Sequence, residues 1–96
     1  MATFISLSNF TDQGIRGIKD SPKRAEALRA MAKKLGVTIK EIYWTVGRYD
    51  VVVVLEGEEE AVTTVLLKAG SLGNVRSETL RAFSAAEVGR IVGNIP

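Results

Sequence analysis

Tyr49 and Asp50, set behind Gly47 in a Gly-Arg-Tyr-Asp segment, are the side chains best equipped for chemistry in this chain of 96 residues. A carboxylate beside a phenol can bind a ligand amine, or act as a base where desolvation raises its pKa. The same residues also have structural uses. An aspartate at a turn accepts main-chain N–H bonds, and a tyrosine packs with its hydroxyl satisfied. Trp44, three residues before the glycine, reads as a packing or interface anchor, or as a stacking surface for a ligand. Ser77 and Thr79 lie in a later strand-like stretch with Arg76 and Glu78, and Ser6 and Ser8 repeat at i, i+2 spacing near the start. Hydroxyls on a central sheet face are awkward in a dry interface and natural in a small polar pocket. Arg76 and Arg81 fall on opposite faces of a regular strand, so one guanidinium is available to a carboxylate in a sheet cavity.

The chain has no Cys and no His. That removes disulfides, thiolate nucleophiles, zinc–thiolate clusters, imidazole bases and Ser-His-Asp triads. Carboxylates, Lys, Tyr, hydroxyls and backbone groups remain, and no metal or cofactor is expected. Thr11-Asp12-Gln13-Gly14 opens a helix and offers N–H groups to an anion, although capping explains the same residues. Gly70-Ser71-Leu72-Gly73-Asn74 lacks the spacing of a phosphate-binding loop and reads as a connector.

The net charge of +2 is unevenly spread: residues 16–40 hold eight Lys/Arg against two acids, and residues 50–60 hold five acids and no base. Solvated helix faces account for both runs. The basic run has no interleaved aromatics and no nucleic-acid motif, so no nucleic-acid partner is expected. The apolar run Val51–Leu55 is far too short to cross a bilayer as a helix. Met1–Ile5 lacks a basic n-region and a long apolar h-region, which makes a cytoplasmic location the default expectation.

These residues need elements to position them, and the pattern supplies a complete set. Thr3–Ser8 alternates as a first strand. Thr11 caps a short helical segment, and Ser21-Pro22 starts a longer helix with Ser21 as N-cap. Ala25, Leu28, Ala32 and Leu35 make its apolar stripe with Met31 beside it, and Gly36 ends it. Val37–Val46 is a second strand. Gly47-Arg48 fits a two-residue type II′ turn, which sets Val46 opposite Tyr49, Thr45 opposite Asp50 and Trp44 opposite Val51. That register puts Trp44, Tyr49 and Val51 on one face, and Tyr43, Thr45, Asp50 and Val52 on the other. The uninterrupted run Val51–Leu55 predicts a third strand buried on both faces. Glu58–Ala69 is a second long helix, Val75–Phe83 a fourth strand, and Ser84-Ala85-Ala86-Glu87 a capping box for a short terminal helix. The order β-α-β-β-α-β plus a helix is the ferredoxin-like α+β plan, one domain over residues 1–96 with a four-stranded antiparallel sheet. Helices cover one face of such a sheet. A third strand apolar on both sides asks for cover on the other, and a face-to-face homodimer of the αβ-barrel type provides it.

With the elements placed, the chain resembles the GYD-domain family of small ferredoxin-like proteins. The resemblance rests on Phe10-Thr11-Asp12-Gln13-Gly14, Trp44-Thr45-Val46-Gly47-Arg48-Tyr49-Asp50 and Gly73-Asn74-Val75-Arg76-Ser77-Glu78-Thr79, and spans nearly the whole chain. The Gly47-x-Tyr49-Asp50 turn and the Gly73–Thr79 stretch are also similar, more loosely, to the effector-sensing domain of the feast/famine regulators, which form αβ-barrel dimers and hold amino acids at subunit interfaces. That likeness implies Gly47, Tyr49, Asp50, Ser77 and Thr79 near a ligand. This chain has no helix-turn-helix beside the domain, so the likeness implies a stand-alone sensor rather than a transcription factor. The resulting expectation is an oligomeric module holding a small amino-acid-like or carboxylate metabolite at or near a subunit interface, with Trp44 as a further contact. Two rivals stand beside it: a cofactor-independent αβ-barrel oxygenase or isomerase using Tyr49 and Asp50, and an assembly subunit without a small ligand.

Overall fold

A computed structural model describes residues 1–96, and the chain folds as β1 (Ala2–Phe10), α1 (Asp12–Arg16), a 3-10 turn (Ile18–Asp20), α2 (Ser21–Lys34), β2 (Thr38–Trp44), β3 (Val51–Gly57), α3 (Glu59–Ser71), β4 (Val75–Ala82) and α4 (Ala85–Val92). The sheet is antiparallel with strand order β2-β3-β1-β4, the ferredoxin-like arrangement with β1 and β3 in the centre.

Alternation on the central strands sorts the side chains. Phe4, Ser6 and Ser8 of β1 and Val51, Val53 and Leu55 of β3 point to the helices and are buried, joined by Ile39 of β2, Ala32 of α2 and Val62 and Val65 of α3. Ile5, Leu7, Val52 and Val54 point the other way and stay half-exposed. No helix lies over that second face. β3 therefore has the central position that its apolar run predicts, with one side covered and the other open.

Local signals account for most element ends. α2 stops in a Schellman arrangement: Gly36, at φ +78°, donates to the Lys33 carbonyl, and Val37 donates to that of Ala32. α4 starts on the expected capping box, with Ser84 and Glu87 bonded reciprocally. Its apolar stripe of Val88, Ile91 and Val92 is about half exposed (42%, 47% and 51%), so the helix forms without a partner for that stripe. β2 carries a bulge between Ile39 and Glu41, beside which Lys40 pairs with Glu56 at 3.5 Å.

Two local expectations fail. Ser21 is not the cap of α2. Asp20 takes the N-cap position, and the Ser21 hydroxyl instead accepts the Trp44 indole N–H at 2.9 Å. An indole N–H turned in against the fold needs an acceptor, and Ser21 is the one within reach. Nor do Gly47-Arg48 form a two-residue turn. β2 ends at Trp44 and β3 begins at Val51, leaving residues 45–50 as a six-residue loop. The pairing of Trp44 with Val51 holds, and Thr45 N–H donates to the Asp50 carbonyl at 2.8 Å. Beyond that bond the ladder gives way to a side-chain closure, in which the Thr45 hydroxyl donates to the Tyr49 carbonyl at 2.6 Å. Gly47 sits at φ +134° in open space, so a glycine is required by conformation and not by crowding.

Candidate functional site

The loop edge is built around Asp50. Its carboxylate accepts the Phe10 N–H at 2.9 Å, and its own N–H donates to the Ser8 carbonyl at the same distance. Asp50 thus replaces the next rung of the β1–β3 ladder, which stops at Ser8 opposite Val51. Tyr49 turns away from it. The phenol donates to Glu78 at 2.8 Å, reaching over β1 to β4 on the open face, and that carboxylate raises the Tyr49 pKa above the ordinary 10.0. The Arg48 guanidinium lies 5.7 Å from the Tyr49 ring. With Leu7, Asn9, Arg76 and Glu78 these residues shape a shallow recess of about 290 Å³ at the rim of the open face.

This placement corrects the expected register. Tyr49 does not share the face of Trp44 and Val51, because strict alternation lapses inside the six-residue loop. Tyr49 and Asp50 bond to different partners and do not converge on a common atom, so the geometry contains no Tyr49–Asp50 acid–base pair. Ser77 and Thr79 pair across from Ser8 and Ser6, which puts them on the helix side of β4, with Arg81 opposite Phe4. Trp44 is also on the helix side, about half exposed and tied to Ser21. The six expected ligand residues therefore divide: Trp44, Ser77 and Thr79 on the helix side, Tyr49 on the open face, Asp50 in the strand ladder and Gly47 at the loop tip.

On the helix side a second and larger space opens. A cavity of about 390 Å³ lies between the sheet and helices α2 and α3, lined by Ser6, Ser8 and Ser77 on the sheet and by Leu28, Met31 and Leu66 on the helices, with Trp44 at one end. Ser6 is 1% exposed and Ser8 5%. The i, i+2 hydroxyls of β1 were the sequence signal for this floor. The cavity itself had none, since it depends on how far two helices stand off the sheet.

Next to the cavity, α1 is locked to the α3–β4 connector. Thr11 Oγ1 donates to the Gly73 carbonyl at 2.6 Å and accepts from Gly14 N–H, and the Gln13 amide donates to Leu72 and Asn74. The hydroxyl that a free anion site would leave available is occupied by capping. Among all 96 residues, no group of three or more carboxylates stands close enough to hold a metal ion. No helix is long and apolar enough to cross a membrane.

Comparison with known proteins agrees with this architecture. The GYD domain model matches residues 4–92. A relative from Thermus thermophilus, named glutamine synthetase and cystathionine beta-lyase binding protein, is 36% identical over 90 residues, covering 92% of this chain and 95% of that protein. The crystal structure of TTHA0845 from Thermus thermophilus superposes with a TM-score of 0.56 at 28% identity, covering 88% of this chain and 96% of that one.

Proposed function

Because the chain belongs to the GYD-domain family, we propose that it is a protein-binding module whose uncovered sheet face is the docking surface. The observation that carries this reading is the apolar centre formed by Ile5, Leu7, Val52 and Val54, flanked by the exposed Tyr43 and Leu80 and without a covering layer. A charged rim of Glu41, Glu56, Arg76 and Glu78 surrounds it. An apolar middle with a polar margin is the anatomy of a protein interface, and an isolated monomer rarely leaves such a patch bare. A second copy is the first occupant: two such faces stacked make the αβ-barrel homodimer that the apolar β3 calls for. The relative's name adds a second class of partner, the enzymes glutamine synthetase and cystathionine beta-lyase, reached by the assembled module.

The rim recess around Tyr49, Arg48, Arg76 and Glu78 supports a narrower reading within the same assembly. It lies where a stacked second sheet would roof it, and its two guanidiniums suit a small carboxylate metabolite at the subunit boundary.

Sedimentation velocity at micromolar concentration tests the docking surface, alongside capture of glutamine synthetase and cystathionine beta-lyase from the chain's own organism. Wild-type chain is expected to sediment as a dimer or larger. Val54→Arg, which sets a charge in the middle of the face, is expected to sediment as a monomer and to lose capture. A wild-type monomer whose enzyme capture survives Val54→Arg would overturn the proposal.

A further inference from the structure

The cavity between the sheet and the two long helices is on the side opposite the docking face, and the contents of its wall are unusual for a space inside a small core. Most of the wall is aliphatic, and its volume of about 390 Å³ falls within the ~300–1,000 Å³ of small-molecule pockets. A core that merely packed badly would be lined by apolar groups alone. Here Ser6 and Ser8, 99% and 95% buried, present hydroxyls from the central strand to the wall. A few hydroxyls on an otherwise apolar wall are the kind of polar group that fixes the orientation of a small guest.

Three of the other polar groups on the wall are already engaged. Ser21 accepts from Trp44, Arg24 donates to the carbonyls of Gly14 and Gly17, and the Asn74 side-chain oxygen accepts from Gln13. The hydroxyls of Ser6, Ser8 and Ser77 on the sheet and the Lys68 ammonium complete the polar lining. The only charged residues lining the space are Arg24 and Lys68, both cationic, and no carboxylate faces it. A cationic guest would meet no counter-charge there, whereas a neutral or anionic oxygen function would meet donors.

We infer that this cavity is a binding site for a small, largely apolar molecule bearing one oxygen function, a hydroxyl, carbonyl or carboxylate, held by Ser6 and Ser8 with its hydrocarbon part against Leu28, Met31 and Leu66. The site is separate from the docking face, so the two readings stand or fall independently.

Methyl-resolved NMR titration of the full chain with octanoate, octan-1-ol and octylamine tests it. Octanoate and octan-1-ol are expected to shift the methyls of Leu28, Val53 and Leu66, and octylamine to leave them in place. The double variant Ser6→Ala, Ser8→Ala is expected to weaken octanoate and octan-1-ol roughly tenfold, the loss of about one hydrogen bond's worth of binding. Its melting temperature is expected to stay within a few degrees of wild type, so that the weakening reads binding and not unfolding. Ala69→Leu, which fills the wall from α3, is expected to abolish the shifts. Shifts confined to the methyls of Leu7, Val52 and Val54, equal response to octylamine, or wild-type affinity in either variant would overturn the inference.

Discussion

Gly14 and Asn74 touch so closely that a β-carbon on Gly14 would lie 2.0 Å from the Asn74 carbonyl oxygen. Far apart in sequence, they hold α1 against the connector between α3 and β4, and the bonds from Thr11 and Gln13 close around the contact. Here the glycine serves close approach, not backbone conformation. Gly14→Ala is expected to destabilise the fold by about 3 kcal/mol, at the upper end of overpacking effects where backbone must move. Thermal unfolding should show it as a drop on the order of 10 °C or more in a domain of this size. A melting point within a degree or two of wild type would mean that α1 is held by something else.

Asp50 substitutes for a ladder rung, so its replacement should cost stability and not only a surface charge. Asp50→Ala is expected to lose about 1–2 kcal/mol, since the Phe10 N–H loses an acceptor in a partly buried setting. Asp50→Asn keeps a side-chain oxygen and should recover most of the loss. Urea denaturation of the two variants checks this; equal stability for Ala and wild type would contradict the bond's importance.

Tyr43 and Tyr49 both titrate above the ordinary tyrosine pKa, each because a neighbouring carboxylate favours the neutral phenol: Glu41 for the first, and Glu78, which accepts the phenol's hydrogen bond, for the second. A raised pKa in the folded state means that the contribution is present below the unfolded value near 10 and is lost as pH rises through the folded one. Glu78→Gln should bring Tyr49 down towards 10 and leave Tyr43 where it is. Ultraviolet phenolate titration of the single variant, with Tyr49→Phe to assign the transition, separates them.

In α4 the sign is reversed. The Ser84 N–H holds the Glu87 carboxylate below its ordinary value of 4.5. The capping contribution is therefore complete above the unfolded pKa and is lost as pH falls through the folded one. Amide NMR of residues 85–92 should show the helix fraying in acid while the β1–β3 ladder persists. Glu87→Gln, which can still serve a capping box, should flatten that dependence. Fraying of the same midpoint and amplitude in Glu87→Gln would remove Glu87 as the cause.

Much of the fold was legible because its signals are local. The capping box at Ser84 and Glu87, the αL glycine at Gly36 and the unbroken apolar run of β3 each act within a few residues, and each stands where the sequence puts it. The site was less legible for two separate reasons. Tyr49 could be assigned a face only by extending strand alternation through 45–50, and a six-residue loop does not obey it. Ser21 looked like an N-cap because Ser-Pro opens helices, but a tertiary partner, Trp44, claimed its hydroxyl. The cavity stands at the limit of what sequence can convey. Its hydroxyl floor is written in Ser6 and Ser8, and its volume arises only from the spacing of α2 and α3 above them.

The bulge in β2 bears on how this protein can grow. β2 is one border of the sheet, and at its extra residue the strand breaks step where another chain would have to add its own row of bonds. The opposite border, β4, exposes Arg76, Glu78 and Arg81. Lateral extension from chain to chain is thus discouraged at both margins, leaving stacking of broad faces as the open direction. Association of that kind would close on itself after two copies, and the broken margins guard a small chain rich in valine strands against polymerising into a ribbon.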